Sequence, residues 1–443
     1  MAAARTLRDL DEQASITLVG NEPAYARMVL PYYIEGRIEE RAVFTADATH
    51  FETLKIDARL DTRVSAVDTS ARRIELEGGE SIEFDTLLLA TGSRSARAPI
   101  PGAEGDSALD LWTLQDAKNF LAAPHGEVVI VGAGFIAFTV LDAVMHRAER
   151  VHVVEVEPQI LPNMLDETAT ELMTAHLRDR GLSIHTGTRV DRLETTGDRR
   201  ILHLSNGETL SADAVVLATG VRPNLDFLEG SGIETDIGVL VDGLLQTNVE
   251  GIFAAGDCAQ GPVLHLNERR VHAIQPTAVD HGRLAAANMA GQNATFEGSL
   301  IMNILATQAF EAASFGLWGS DELETTRVEN TAGRIYRRYV WDGDRLVGGI
   351  LVGPTHALSG QNDVGMLKGL IQTGVALGPW RSYLEENPLD LRRVFVASGA
   401  AKRLLDSTLL SGRMTEGGAF RIGAQKAMRT RSEHHTTLLT GAP

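Results

Sequence analysis

Short runs of apolar residues, each bounded by glycine, proline or charged residues, recur along the first part of this chain. The runs with the length of a buried strand are 15–19, 86–90, 128–131, 151–154, 213–217 and 252–255. A stretch with helical spacing follows several of them, most clearly at residues 138–147. Continuous apolar strands that alternate with helices are typical of a parallel sheet covered on both faces. The pattern predicts an α/β fold.

The pattern changes late in the chain. Residues 336–341 and 346–352 have the composition of strands, and Asp342-Gly343-Asp344 between them predicts a hairpin turn. A helix is predicted at 364–373. Residues 396–443 are polar and slightly basic with Gly and Ser breaks, which predicts a loosely ordered tail.

A glycine-rich turn lies between the strand at 128–131 and the helix that follows it. Gly132 permits a tight turn, Gly134 permits close approach of a pyrophosphate, and the small Ala137 lets the helix pack on the strand. The next strand ends at Glu155, near the usual spacing of the acid that binds a ribose hydroxyl. A carboxylate there repels a 2′-phosphate. These residues predict an NAD-binding unit that prefers NADH over NADPH.

The tripeptide Ala-Thr-Gly follows an apolar strand twice, with Thr91-Gly92 in the first copy and Thr219-Gly220 in the second. The interval between the copies is far too long for a solenoid repeat. The repeat predicts two related nucleotide-binding domains in one chain.

A further strand ends in Gly256-Asp257. After it, a segment rich in small residues begins with Pro276, Thr277 and Ala278. Proline in a first turn is typical of a helix start, so a helix is predicted here.

Length and charge limit the classes of function. A chain of 443 residues is long enough for two or three domains, and a hydrophobic content of 44% supports buried cores. No apolar run reaches the ~18 residues of a membrane-spanning helix. The net charge of −18 disfavours nucleic acid and anionic membranes as partners.

Cys258 is the single cysteine of the chain, and we interpret it as a packed thiol. One cysteine cannot form an internal disulfide or a cysteine-rich metal site, and the histidines show no ligand spacing. No signal peptide is recognised at the start. We therefore predict a cytoplasmic protein without a metal site.

Taken in order, these elements resemble the FAD-dependent pyridine nucleotide–disulfide oxidoreductases, flavoproteins with two dinucleotide-binding domains. Within that superfamily the chain is most similar to the NADH-dependent reductases of rubredoxin, ferredoxin and nitrite reductase systems, and residues 21–31 resemble the stretch after their second FAD strand. The resemblance covers about residues 1–390. It implies an α/β fold with two Rossmann-like FAD/NAD(P)-binding domains and a C-terminal α+β interface domain.

The resemblance also implies a division of the chain. The FAD-binding domain is discontinuous and covers residues 1–114 and 249–315, with the NAD-binding domain at 115–248 between its parts. Residues 316–395 form the interface domain. Relatives pair through that domain, so a homodimer is implied.

A cofactor-binding role is implied for each matching residue. On the FAD side these are Glu22 at the adenosine ribose, Arg27 at the phosphates, Thr91 and Gly92 at the pyrophosphate, Gly256 and Asp257 at the ribityl chain, and Pro276, Thr277 and Ala278 at the flavin ring. On the NADH side they are Gly132, Gly134, Ala137 and Glu155, with Thr219 and Gly220 in the second copy of the repeat. No catalytic acid or base is implied, because the cofactors carry the chemistry.

The chain departs from the family pattern at its start. Relatives open with a strand and a Gly-x-Gly-x-x-Gly turn, whereas Ala3, Leu7 and Leu10 already have the spacing of the helix that follows that turn. Without that strand, two neighbouring strands are expected to be unpaired and the main phosphate cradle to be missing. Three explanations are open: a mis-set start or trimmed sequence, a chain that binds FAD weakly or not at all, and a partner chain that completes the domain.

The redox cysteines of the family are missing too. Disulfide reductases and peroxide-type relatives carry cysteine near residues 25–35, where this chain has none. Ala137 and Thr139 replace the Gly and Glu that many relatives carry near the nicotinamide, and Tyr32-Tyr33 occupies the place of a lysine found in ferredoxin reductases. Thiol–disulfide chemistry is therefore argued against.

The resemblance implies an FAD-dependent NAD(P)H oxidoreductase that takes hydride from NADH and passes electrons to an external acceptor. That acceptor is either a small molecule or a redox protein, such as ferredoxin, rubredoxin or a partner subunit of a reductase. Two alternatives are an NADH oxidase that uses oxygen, and a truncated, flavin-free NADH-binding or subunit protein.

Overall fold

A computed structural model describes residues 1–356 and 362–407. Its α-helices are α1 (Ala2–Leu10), α2 (Leu30–Glu35), α3 (Ala48–Thr53), α4 (Leu114–Ala122), α5 (Phe135–Arg147), α6 (Glu167–Asp179), α7 (Gln275–Met289), α8 (Asn362–Thr373), α9 (Pro379–Glu386), α10 (Leu391–Ala397) and α11 (Ala400–Ser407). Short 3-10 helices lie at Arg27–Val29, Glu40–Val43, Gly105–Ser107, Asp226–Leu228 and Gly256–Cys258. Within these described ranges, no helix is both long and apolar enough to cross a membrane.

The strands fall into several sheets. In chain order they are β1 (Ile16–Val19), β2 (Ile56–Arg59), β3 (Val64–Asp68), β4 (Arg73–Leu76), β5 (Ser81–Glu83), β6 (Leu87–Leu89), β7 (Ser93–Ser95), β8 (Glu127–Val131), β9 (Arg150–Val154), β10 (Ser183–His185), β11 (Val190–Thr196), β12 (Arg199–Leu204), β13 (Thr209–Ala212), β14 (Ala214–Leu217), β15 (Val221–Pro223), β16 (Val239–Leu240), β17 (Ile252–Ala254), β18 (Ala259–Pro262), β19 (Arg269–Val271), β20 (Met302–Thr307), β21 (Phe310–Gly316), β22 (Glu324–Asn330), β23 (Ile335–Asp342) and β24 (Arg345–Pro354).

A parallel sheet with the order β10-β9-β8-β14 occupies the middle of the chain. Val128 and Ile130 of β8 pack with Leu141 of α5 on one face of this sheet. On the other face Val129 packs with Leu202 of the antiparallel meander β11-β12-β13. Burial on both faces explains why these strands are continuous apolar runs, and the predicted α/β fold is confirmed.

The first nucleotide-binding unit contains two parallel strand pairs, β1 with β2 and β6 with β17. In the part of the chain that the structure describes, no strand joins the two pairs, in keeping with the unpaired strands expected from the sequence. Helix α1 packs on α7, where a Cβ added at Gly282 would lie 3.3 Å from the Ala3 nitrogen. Close packing of these helices covers one side of the unit.

Core packing near the predicted boundaries of the NAD-binding unit, at residues 115 and 248, supports a different division. Leu245 packs in the core of the first unit, together with strands β6 and β17. Ile100 instead packs against the central sheet. A core is what holds a domain together, so from these contacts we propose that the NAD-binding unit covers about residues 96–223.

The last unit is an antiparallel sheet with the order β20-β21-β24-β23-β22. Strands β23 and β24 join through the predicted hairpin turn, in which Gly343 has a φ of +58°. Phe315 and Trp341 on one face pack with Leu367 of α8. Asp363 of α8 forms an ion pair with Arg337 of β23, with 2.6 Å between Oδ2 and Nη2, and both side chains are buried.

The predicted loosely ordered tail is wrong over its first residues. Helix α11 continues the chain after α10 and packs on α8, where a Cβ added at Gly369 would lie 2.6 Å from Leu404 Cδ1. The close approach of α11 to a glycine on α8 is a long-range contact that local composition does not reveal. Residues 408–443 lie outside the described residues.

Candidate nucleotide-binding site

The predicted glycine turn lies between β8 and α5. Gly132 has a φ of +103°, and an added Cβ would lie 2.5 Å from the Ala218 carbonyl oxygen, so the tight turn requires glycine. Gly134 is the N-cap of α5, and an added Cβ there would meet no atom within 4 Å. Ala137 is buried in the first turn of the helix. The space in front of Gly134 is therefore open to a ligand.

Glu155 follows β9 and lies against the same turn. Its Oε2 accepts from the Ala133 N–H at 2.5 Å and its Oε1 accepts from the Glu157 N–H at 2.9 Å. Each carboxylate oxygen keeps a second lone pair for another donor. Among the described side chains none caps α5, so its first N–H groups and the positive end of its dipole face the open space. These features fit the pyrophosphate and ribose of a pyridine dinucleotide.

Replacing Gly134 by valine is expected to raise the KM for NADH about tenfold or more, because the side chain occupies the space of the ligand. The backbone φ of −80° is accessible to valine, so folding is strained little. Valine is a poor N-cap, which costs up to about 1 kcal/mol of stability. KM would be measured with ferricyanide as acceptor, and the melting temperature by calorimetry.

Gly319 is the matched control for that variant, because its added Cβ also meets no atom within 4 Å and it lies in the C-terminal unit. Gly319→Val should leave the KM for NADH unchanged. An unchanged KM in Gly134→Val would show that NADH does not approach this turn.

Glu22, Arg27, Ser93 and Asp257 form a polar network beyond the ends of β1, β6 and β17. Arg27 forms an ion pair with Glu22, and its Nη1 donates to the Ser93 carbonyl at 3.3 Å. The Ser93 hydroxyl donates to Asp257 Oδ2 at 2.9 Å. The carboxyl ends of parallel strands meet at one edge of a sheet, which is where ligands bind. The polar network thus joins three residues that the resemblance assigns to FAD.

Asp257 lies beside the first turn of α7. Gly256 has a φ of +75°, and an added Cβ would lie 3.2 Å from Ala278 Cβ, so only glycine permits this close approach. Burial raises the pKa of the Asp257 carboxyl. Pro276 at the start of α7 is exposed and Thr277 is buried, and no described side chain caps the helix. The Asp257 carboxyl group and the uncapped start of α7 therefore lie next to each other.

The two Ala-Thr-Gly turns hold the two units together. Asn224 Nδ2 donates to the Thr91 carbonyl at 2.9 Å, and Thr91 Oγ1 donates to the Asn224 carbonyl at 3.0 Å. Thr219 Oγ1 donates to the Ala96 carbonyl at 2.5 Å and accepts from the Ala98 N–H at 3.0 Å. Between these contacts β7 pairs with β15 in antiparallel register. The two predicted sites are thereby made neighbours.

Gly92 and Gly220, the glycines of the two turns, have φ values of +62° and +119°, and an added Cβ at either would meet no atom within 4 Å. Gly92 therefore leaves open space directly beside Ser93 of the polar network. Together with Asp257 and the uncapped start of α7, that space fits the FAD that the resemblance implies. All the predicted residues fall into two adjoining groups.

Three residues of this site were not predicted from the sequence. Trp112 donates through Nε1 to the Ser93 carbonyl at 2.8 Å, and its ring lies 5.3 Å from the Arg27 guanidinium. The Tyr25 hydroxyl donates to Glu22 at 2.7 Å. Ser93 had an available signal, because it directly follows the first Ala-Thr-Gly. The contacts of Trp112 depend on the folded chain and have no local signal.

Comparison with known proteins places these features in context. The sequence model described as pyridine nucleotide-disulphide oxidoreductase matches residues 1–292. The chain is 32% identical over 405 residues to the NADH-dependent phenylglyoxylate dehydrogenase subunit epsilon of Aromatoleum evansii, covering 89% of this chain and 94% of that one. It is 26% identical over 365 residues to the nitrite reductase [NAD(P)H] of Bacillus subtilis, covering 80% of this chain and 44% of that protein.

Solved structures share the fold. The structure of an NAD-dependent persulfide reductase from A. fulgidus superposes with a TM-score of 0.77 at 27% identity, covering 85% of this chain and 76% of that one. The superposition includes most of the described chain, so the arrangement of sheets is that of a known flavoprotein architecture. The predicted α/β fold with a C-terminal α+β unit is confirmed, and the structure shows that the sheet of that unit is antiparallel.

Proposed function

Because this chain belongs to the pyridine nucleotide–disulphide oxidoreductase family, we propose that it is an NADH-oxidising flavoprotein reductase that delivers electrons to a separate partner. The observation that carries the proposal is the joining of the two groups of predicted site residues across β7 and β15. When bound, FAD supplies an acceptor for hydride and a donor of electrons. The family is one of NAD(P)H-dependent reductases.

Glu22, Arg27 and Asp257 would hold FAD, with the start of α7 at its ring system. Arg27 neutralises phosphate charge, and the N–H groups of α7 stabilise negative charge near them. Gly132, Gly134 and Glu155 would hold NADH. The chain's own residues bind and align the two nucleotides, and no side chain is required to move a proton.

Preference for NADH over NADPH is supported by Glu155. Its carboxylate is fixed by the Ala133 and Glu157 amides at the end of β9, where the ribose of a dinucleotide lies in this type of site. A 2′-phosphate there would face a carboxylate that cannot swing away without losing both hydrogen bonds. We expect NADPH to bind more weakly than NADH for this electrostatic reason.

The electrons are proposed to leave without a thiol relay. Cys258 is the chain's single cysteine and is fully buried, with Sγ 3.3 Å from the Leu89 carbonyl oxygen. Burial raises the pKa of its thiol, which disfavours the reactive thiolate. FAD held by these residues would supply electrons to the partner without help from a thiol.

Replacing Cys258 by alanine is accordingly expected to leave turnover of NADH with an artificial acceptor unchanged. The cavity that the substitution leaves costs stability, so the melting temperature falls slightly. Turnover would be measured below the melting temperature of both proteins. Loss of turnover in a folded Cys258→Ala protein, with FAD retained, would establish a redox role for the thiol and overturn this part of the proposal.

The partner is proposed to be another subunit or a small redox protein. Support comes from the relative in Aromatoleum evansii, which is named as one subunit of an NADH-dependent dehydrogenase and matches this chain along nearly its whole length. Gln275 and Pro276, at the start of α7, are exposed and therefore accessible to a partner. A partner bound there would lie next to the proposed flavin.

The test is an anaerobic titration of the purified protein, supplied with FAD, with NADH and in parallel with NADPH. Flavin absorbance that is retained after gel filtration and bleaches with NADH, and less readily with NADPH, is the expected result. The Gly134→Val variant should retain flavin yet bleach only at higher NADH. A protein that retains no flavin, or a bound flavin that NADH does not bleach, would overturn the proposed function.

A further inference from the structure

His281 lies on α7, one turn after Thr277, and is buried. Its Nδ1 is 3.4 Å from the backbone nitrogen of Gly256, and its Nε2 is 3.3 Å from the Ser299 hydroxyl. The ring of Phe296 stands edge-on to the imidazole with 4.7 Å between centroids. The imidazole therefore connects Gly256, the residue before Asp257, with Ser299, which lies far along the chain.

The contacts determine the tautomer of this imidazole. A backbone N–H can only donate, so Nδ1 must be unprotonated to accept from Gly256. The ring proton then sits on Nε2, which donates to the Ser299 hydroxyl oxygen. Burial lowers the pKa of His281 to about 4, with a smaller contribution from His272, so the neutral form is present at neutral pH.

The turn at Gly256 and Asp257 is held from two sides. Ser93 donates to the Asp257 carboxylate from the β7 side, and His281 accepts from the Gly256 N–H on the α7 side. Gly256 has a φ of +75°. Glycine can adopt several other backbone conformations, so its own preference does not fix this one. A hydrogen bond from outside the turn selects that conformation and thereby fixes where the carboxylate points.

We propose that His281 is a positioning residue that fixes the Gly256–Asp257 turn for FAD binding through its unprotonated Nδ1. The inference rests on the proposed function, in which Asp257 binds the ribityl chain. His281 itself is buried behind the turn and acts through the backbone of Gly256. Without the imidazole, the buried Gly256 N–H has no acceptor and the turn gains freedom to rotate.

Three variants separate positioning from packing. His281→Phe keeps an aromatic ring beside Phe296 but removes both ring nitrogens. His281→Gln provides one acceptor and one donor on a flexible side chain. Ser299→Ala removes the partner of Nε2 and leaves the contact between Nδ1 and Gly256 intact.

The experiment measures FAD affinity by fluorescence titration of the flavin-free protein, and amide hydrogen exchange of the peptide containing Gly256 in the same flavin-free protein. His281→Phe should bind FAD about tenfold more weakly and exchange faster at that peptide. His281→Gln should recover most of the affinity and protection, and Ser299→Ala should resemble the wild type. Melting temperatures identify variants that are folded.

Wild-type affinity and exchange in a folded His281→Phe protein would overturn the proposal. So would a His281→Gln protein that is folded yet binds FAD as weakly as the phenylalanine variant, because the acceptor would then not be the feature that matters. If His281→Phe does not fold, His281→Leu, which also lacks a hydrogen-bond acceptor, takes its place with the same expected result. If the wild type binds no FAD, the proposed function fails, while exchange at Gly256 still tests the positioning.

Discussion

Replacing Asp363 by asparagine is expected to lower the free energy of unfolding of the C-terminal unit by about 3–5 kcal/mol. Arg337 and Asp363 have side chains that are only 2% and 6% exposed, and their Nη2 and Oδ2 atoms are 2.6 Å apart. Asparagine keeps the shape of the side chain but removes its charge. Within residues 1–356 and 362–407, the guanidinium is then left buried without a counter-ion, because the Tyr339 hydroxyl at 3.5 Å is neutral.

Urea unfolding would be followed by tryptophan fluorescence, since Trp341 and Trp380 both lie in this unit. The control is Glu194→Gln, which breaks an ion pair with Arg192 in which both side chains are about half exposed. Exposed pairs contribute little, so the control should lose no more than about 1 kcal/mol. A loss in Asp363→Asn as small as that of the control would contradict the expected role of the buried pair.

Replacing Gly132 by alanine is expected to destabilise the NAD-binding unit by about 3 kcal/mol and to weaken NADH binding with it. A φ of +103° is strained for any residue with a Cβ, and the new Cβ would lie 2.5 Å from the Ala218 carbonyl oxygen. The turn must therefore open, which moves Ala133 away from Glu155. The close approach of Gly132 to Ala218 and the hydrogen bond from Ala133 to Glu155 both depend on this backbone conformation.

Gly134→Ala is the matched control, because it adds the same methyl group two residues away in open space. The stability of the two variants would be measured by denaturant unfolding, and their affinity for NADH by titration. Gly132→Ala should lose stability and affinity together, whereas Gly134→Ala should keep its stability within about 1 kcal/mol. Equal stability in the two variants would contradict the distinction between a glycine required by the fold and one required by the ligand.

Features with a local cause were predictable from the sequence. The turn at Gly132 and Gly134 needs small residues at fixed spacing, and the strand β8 needs apolar residues because it is buried on both faces. Both features can therefore be recognised in a short stretch of sequence. The start of α5 was predicted three residues late, at 138, because apolar spacing alone does not show that Gly134 is already its N-cap. The helix begins as soon as the glycine turn ends.

Features that depend on distant parts of the chain were not predictable. Ser93 meets Asp257, and His281 meets Gly256, only because β6, β17 and α7 come together in the fold. The boundary at 248 came from the family resemblance, and the core contact that leads us to propose a different one, that of Leu245 with Leu89 and Ile252, joins distant parts of the chain. Likewise α11 is held by its contact with α8, so its polar composition was a misleading guide.

The pairing of β7 with β15 places Val221 opposite Ser95, so the chain leaves the first unit and returns to it at adjacent positions. A segment whose two ends are hydrogen-bonded neighbours can be exchanged as a cassette, because the host chain is closed again by a short connection. The coenzyme preference that we propose for Glu155 would therefore be separable from the proposed flavin-binding frame. A recombinant that takes residues 96–220 from a relative with the opposite preference would change the nucleotide it oxidises while it keeps its own partner.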